Sequence, residues 1–418
     1  MLTAFQWILR ALVIGLGLGV LGLACVYYFV SRSLPDYDAT WSVAGISAPL
    51  EIVRNNADVP HIFAANDNDA FYALGFAHAQ DRLWQMTLLR RTVQGRLSEI
   101  FGPRTLRTDE LMRRLNLYDL ALSSVDAQDA STKAALTSYA AGVNAWIEQV
   151  NQGALGRGAP EFFLFSSQID AWAPADSIAI IKLMALQLSG HLDTEVLRAE
   201  LSLALSPARL ADAPGEAIMA LPQYSALMPD VRAGQAPHRM AELDQPLSPF
   251  PSAGMAGASN AWAASASRSA AGGGLLANDP HLDFTAPAIW YLARLHLSSG
   301  DVIGATIPGM PLVLLGRSEL LGWGLTSSYL DDQDVVMEKI NPDNPNQYLT
   351  TEGPKDFKEA RTIITVKGEA PVTITQRWSE AGPILPDSFY DLGTVTPTGA
   401  VAALEWTALD GADTSMSA

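Results

Sequence analysis

The stretch GMAGASNAWAASASRSA, residues 254–270, sets Ser259 at a junction. Only small residues precede it, and the alternating run after it predicts a β-strand. A serine hydroxyl is a weak nucleophile unless a base takes its proton. The usual arrangement, a G-x-S-x-G turn between strand and helix with a histidine partner, has no motif in this chain. A serine at a chain start has another base within itself. A free α-amine has a pKa of about 7.7–8.0 and can accept the hydroxyl proton directly or through one water. Cutting between Ala258 and Ser259 would create that amine. A small residue at 258 leaves the hydroxyl room to reach its own preceding carbonyl. On the residues alone, Ser259 reads first as an ordinary serine that begins a strand.

Other chemistry-bearing residues are few. LDDQD, residues 330–334, clusters Asp331, Asp332, Gln333 and Asp334. Carboxylates flanking a backbone carbonyl suit Ca²⁺, which takes six to eight oxygen ligands. A solvated acidic turn is the alternative. His281, in NDPHL, can tune a nearby amine or serve a turn. There is no HExxH and no glycine-rich phosphate loop, and the single cysteine, Cys25, excludes an intrachain disulfide and a cysteine-based metal site.

The elements that must position these residues follow from periodicity. LEIVR, then NNAD, then VPHIFA predict a hairpin. From Asp67 the period changes. Phe71, Leu74, Phe76, Ala79, Leu83, Met86, Leu89 and Val93 recur at helical spacing, with Asp67 or Asp69 as cap. Residues 106–228 stay mostly helical. Residues 228–258 hold five prolines and three glycines and read as a surface spacer. Beyond them the texture is strand and turn: SNAWAASAS, IWYLARLHL, DVIGATI and TIITVKGEAPVTITQRW. The expected organisation is a membrane segment over 1–32, a mostly helical part over 33–227, the spacer over 228–258 and a β-rich part over 259–418. The fold class is therefore α+β.

Composition narrows the partners. With 49% hydrophobic and 17% charged residues the chain is globular. A formal net charge of −17 argues against nucleic acid, whose phosphates would be repelled. Residues 11–30, ALVIGLGLGVLGLACVYYFV, carry no charge and suffice to cross a bilayer as a helix. Arg10 and Arg32 flank them, with Trp7, Tyr27 and Tyr28 at interfacial positions. No A-x-A site stands out, so an uncleaved signal-anchor is expected, with the body in the periplasm or otherwise outside a bacterial cytoplasm. A cleaved signal peptide is the alternative. Gly22 stands where a lipoprotein signal usually has leucine, so Cys25 reads as membrane-buried.

Four stretches in order resemble the penicillin acylase family of N-terminal-nucleophile amidohydrolases. They are VPHIFAANDNDAFYALGFAHAQDRLWQM…RRTVQGRLSEIFG, LSGHLDTEVLRAEL, GASNAW…LLANDPHLDFTAPAIWYLARLHL and LGWGLTSSYLDDQD. The likeness runs from about residue 49 to the end. It implies an αββα four-layer sandwich and a precursor that cuts itself at Ala258–Ser259 into α and β chains. It implies acyl transfer from a small-molecule N-acyl amide to Ser259.

By the same resemblance Ser327 supplies an oxyanion backbone N–H, and His281 stands where several members carry a histidine near the serine. Glu195, Asp331, Gln333 through its carbonyl and Asp334 match a Ca²⁺ site. Leu282, Met310 and Tyr329 match residues near an apolar acyl pocket. Leu188 and Ser189 replace the Arg-Phe pair of penicillin G enzymes, which leaves a long-chain acyl amide an equal candidate. The family's second oxyanion donor, an asparagine, lies much farther along its β chain, so this chain is expected to be a fragment. Two other functions stay open: a catalytically inactive membrane-anchored binding protein on the same scaffold, and a conventional serine hydrolase, for which no motif is present.

Overall fold

The computed structural model describes residues 2–152, 158–165, 169–189, 191–205, 259–282, 285–326 and 330–417. Helices dominate to residue 204 and strands dominate from 259, the mixed helix-and-sheet architecture expected. The spacer over 228–258 lies outside the described residues. Two compact units interleave the chain: 1–87, 134–174 and 287–321 in the first, and 88–133, 175–286 and 322–418 in the second.

In the first unit the helix Leu2–Ser31 is apolar and solvent-exposed along its length. Its span Thr3–Tyr28 has a mean hydropathy of 2.2 and none of it is buried. The predicted hairpin forms, Glu51–Arg54 against Pro60–Phe63. Its second strand runs parallel to Tyr291–Leu297, and Gly300–Thr306 and Val313–Arg317 continue the sheet antiparallel. The predicted helix forms as Asp67–Val93. It breaks its helical dihedrals once, at Arg82, with φ −137° and ψ 21°. There the Arg82 guanidinium and the Gln85 amide both donate to the Ala288 carbonyl.

That helix crosses Ala130–Asn151 at two glycines. A Cβ on Gly75 would lie 2.2 Å from the Tyr139 carbonyl oxygen, and one on Gly142 would lie 1.8 Å from that of Tyr72. The obstacle is backbone in both cases, so neither position can carry a side chain while the helices stay this close.

Beside the crossing lies a buried polar chain. The Gly309 N–H donates to the Tyr139 hydroxyl oxygen at 2.8 Å. The Thr306 hydroxyl donates to the Tyr291 carbonyl at 2.7 Å, so its oxygen must accept from His78 Nε2 at 2.9 Å. Nδ1 of His78 then accepts from the Tyr139 hydroxyl at 2.8 Å. Every proton in the chain has one assignment, and the imidazole is neutral with its hydrogen on Nε2. Full burial, aided by the Arg82 charge, lowers the His78 pKa to about 3. A second cluster seats the residues after the apolar helix. Arg54 pairs with Asp81 at 2.9 Å, and Asp81 accepts from the Tyr291 hydroxyl at 2.6 Å and from that of Tyr37 at 3.0 Å.

In the second unit five antiparallel strands run in the order 353–356, 344–350, 333–341, 400–406 and 384–385. The strands Lys358–Ile364 and Val372–Trp378 form a separate hairpin. Ile364, Val366 and Ile374 pack together there, with Leu106 of the helix Leu106–Leu115 against them. Asp109 of that helix is fully buried, and its carboxylate accepts the N–H groups of Leu97 and Ser98. Those are donors a helix start leaves unpaired. Lys182, buried in the helix Pro174–Leu188, donates to the carbonyls of Ala408 and Asp410 and to the Asp413 carboxylate.

Candidate active site

Ser259 begins the strand Ser259–Ala264, as the alternation predicts. The strand pairs antiparallel with Leu275–Pro280, with Ser259 opposite Pro280 and Ala261 opposite Asn278. Opposed residues share a face and neighbours along a strand do not. Ser259 therefore stands on one face with Ala261, Ala263, Leu276, Asn278 and Pro280. The other face carries Asn260, Trp262, Ala264, Leu275, Ala277 and Asp279. Within its unit this ribbon has little cover: Trp262 is 58% exposed and Leu275 54%.

A segment of the later chain is fastened to the ribbon by hydrogen bonds. Asn278 Nδ2 donates to the carbonyls of Asn260 at 2.9 Å and Leu325 at 3.0 Å. Its Oδ1 accepts the Leu325 N–H at 2.9 Å. Two carbonyl partners and one N–H partner fix the amide orientation, because the flipped form would face oxygen with oxygen. The Thr326 hydroxyl donates to the Ser259 carbonyl at 3.0 Å. Gly324 makes the close approach possible, since a Cβ there would sit 2.6 Å from Asn278 Oδ1.

His281 follows the ribbon and is about half exposed. Its Nε2 lies 2.6 Å from Asp279 Oδ2, and among the described residues no hydrogen bond joins it to Ser259. Leu282 is half-buried just beyond it. Met310 is fully buried in the first unit, where its N–H closes a turn on the Ile307 carbonyl. Ala258, Ser327 and Tyr329 lie outside the described residues.

The acidic residues gather in the second unit. The Gln333 side chain is buried, and its Oε1 accepts the Leu192 N–H at 2.9 Å. That bond joins the start of the strand Gln333–Asn341 to the helix His191–Ala204, which carries Glu195. Asp332 accepts from the Ser189 hydroxyl and from the Trp406 indole N–H. Burial raises the Glu195 carboxyl above its ordinary value, Arg198 pulls it back, and the charges of Asp334 and Asp331 add to the rise. These oxygens have the right chemistry for a hard cation, and the charges of Asp331 and Asp334 bear on Glu195. Among the described residues, however, no three acidic, histidine or cysteine side chains converge as a metal cage. Arg198 already pairs with Glu195.

Sequence reasoning missed Asn278, Thr326 and Gly324. Asn278 stood in NDPHL with nothing local to set it apart, because its partners at 325 are 47 residues away. It also missed Arg198 as the counter-charge of Glu195.

The penicillin amidase profile matches residues 49–418. A penicillin acylase 2 proenzyme from Pseudomonas sp. (strain SE83) is 32% identical over 332 residues, 75% of this chain and 41% of the relative. The acyl-homoserine lactone acylase QuiP of Pseudomonas aeruginosa is 29% identical, over 88% of this chain and 44% of its own length. A penicillin G acylase from Escherichia coli is 26% identical, over 85% of this chain and 48% of its own. The chain thus spans somewhat under half the length of these relatives. A solved thermostable penicillin G acylase from Alcaligenes faecalis aligns over 38% of this chain at 24% identity, with a TM-score of 0.33.

Proposed function

The chain belongs to the penicillin amidase family, and from that premise we propose that it is the precursor of an amidase whose nucleophile is an N-terminal Ser259. The family's αββα sandwich is the architecture proposed, with 33–227 contributing to the α chain and 259–418 to the β chain. In maturation the Ser259 hydroxyl attacks the Ala258 carbonyl carbon. The peptide C–N bond breaks as the ester forms, the departing nitrogen takes the hydroxyl proton, and water hydrolyses the ester. A carboxylate at 258 and a free amine at 259 result. In turnover that amine takes the hydroxyl proton as oxygen attacks the substrate amide carbonyl. The proton passes to the leaving amine, and water releases the acid from the acyl-serine. Backbone N–H groups, Ser327's among them, would hold the oxyanion. His281, oriented by Asp279, would tune the amine.

The substrate proposed is a small N-acyl amide with an apolar acyl group, of the penicillin or acyl-homoserine lactone kind that the relatives' names carry. Leu282 and Tyr329 are proposed for its pocket. The apolar helix would hold the body at the outer face of the cytoplasmic membrane. The observation carrying the reading is the seating of Ser259 at a strand start, with its carbonyl tied to the segment leading into Ser327.

Intact-mass and N-terminal analysis of the full-length polypeptide tests it. Two chains are expected, the second beginning Ser259-Asn260-Ala261, and Ser259→Ala should remain one chain. An uncut wild type removes the free amine, and the inactive binding protein becomes the better reading.

Ca²⁺ is proposed as a structural ion held by Glu195, Asp331, the Gln333 carbonyl and Asp334, supplying the positive charge these oxygens share. An ion at 100 times its Kd would stabilise the fold by about 2.7 kcal/mol. Millimolar Ca²⁺ should raise Tm in the wild type and not in Asp331→Asn. Equal behaviour of the two proteins would sink the site.

A further inference from the structure

We infer that Asn278 is a positioning residue for the reaction of Ser259, because its amide fastens the Gly324–Thr326 segment to the nucleophile's strand. The inference rests on the reading of Ser259 given above. Asn278 lies diagonally across the ribbon from Ser259 and on the same face. Its side chain uses both amide hydrogens and its oxygen on backbone: Asn260 O, Leu325 O and Leu325 N. Thr326 adds the bond to the Ser259 carbonyl. The Ser259 carbonyl is thus tied directly to the segment, and the Asn260 carbonyl to the Asn278 amide that also holds Leu325. Gly324 is the residue that lets the amide come this close.

The pattern differs from that of a residue that merely stabilises a fold. The ribbon is half-exposed and has little apolar cover in its unit, so burial does little to hold the segment in register. Directional bonds must do it. A misplacement of about 1 Å can cost about 100-fold in rate where attack geometry decides. Loosening this fastening should therefore slow attack by Ser259 more than it weakens the fold. Its isosteres do not fit the three partners. Asp keeps an acceptor for the Leu325 N–H but turns an oxygen on both carbonyls.

The rate of self-cleavage in the full-length polypeptide, followed by intact mass, tests this without knowing the substrate. Asn278→Ala should mature about 100-fold more slowly than wild type, with Tm nearly unchanged. Asn278→Asp should be as slow at pH 8. Its rate relative to wild type should rise towards pH 4, where a protonated carboxyl regains one donor. Both variants maturing at the wild-type rate would overturn the inference. If Asn278→Ala fails to fold, the Asp variant decides, and a relative rate flat in pH counts against a positioning role. Ser259→Ala separates the two claims. If it is still cut, the nucleophile reading falls and this inference with it. If it is uncut while the Asn278 variants mature normally, this inference alone falls.

Discussion

Two hydrogen-bonded histidines sit at opposite extremes of environment. His78 is fully buried, with each ring nitrogen assigned and each neighbour satisfied in turn. His281 is half in water with one carboxylate partner two residues away. A closed chain of bonds around a neutral ring specifies packing and leaves nothing to react. An open pair beside a proposed nucleophile leaves a face for chemistry. Of the two, the exposed histidine suits a role in turnover and the buried one suits a role in assembly, although burial strongly lowers the latter's pKa. A large shift is therefore a poor guide to function here, because desolvation alone accounts for it.

That contrast is open to attack from its strongest side first. Replacing His78 by Leu strands the Tyr139 proton and the Thr306 oxygen in the core. Each buried group left unpaired costs about 1–3 kcal/mol, so the variant should lose about 2–6 kcal/mol in denaturant unfolding. A loss no larger than that of a surface substitution would show the chain of bonds to be idle. Acid makes a related test. The folded pKa of about 3 lies below the ordinary value of 6.5, so the unfolded chain binds the extra proton between them. Stability should fall as pH drops from about 6.5 towards 3, by up to about 1.4 kcal/mol per pH unit from this group. The slope should be absent in the Leu variant. The smallest effect belongs to His281→Gln, which should move stability by less than about 0.5 kcal/mol. It should nevertheless shift the pH profile of turnover if the ring tunes the Ser259 amine.

Local patterns were legible in the sequence. The hairpin around NNAD and the helix from Asp67 formed where periodicity put them. Leu74, Phe76, Ala79, Leu83, Met86 and Val93 are buried. The Ser259 strand formed too, as did the hairpin in TIITVKGEAPVTITQRW, which turns at Gly368 with φ 81°. What stayed hidden was polar and long-range. The helix from Asp67 also buries His78, Gln80, Arg90 and Arg91, which no apolar stripe announces. The His78 partner Thr306 is 228 residues away, so only the folded chain makes the bond. Asn278 hides for the same reason. The acidic residues around Asp331 could be listed from sequence as oxygen donors, and the pairing of Glu195 with Arg198, three residues on in the same helix, was legible there but missed.

The glycine crossing bears on how the gene can drift. Any change in the first two bases of a glycine codon installs a residue with a Cβ or stops the chain. At Gly75 and Gly142 that Cβ would meet main-chain oxygen from the other helix. Apart from silent third-base changes, neither codon has a tolerated one-step neighbour while the helices keep their spacing. Escape would need the two helices to part, and Tyr139, which follows the contact at Gly75 with its backbone and holds His78 with its hydroxyl, would have to move with them.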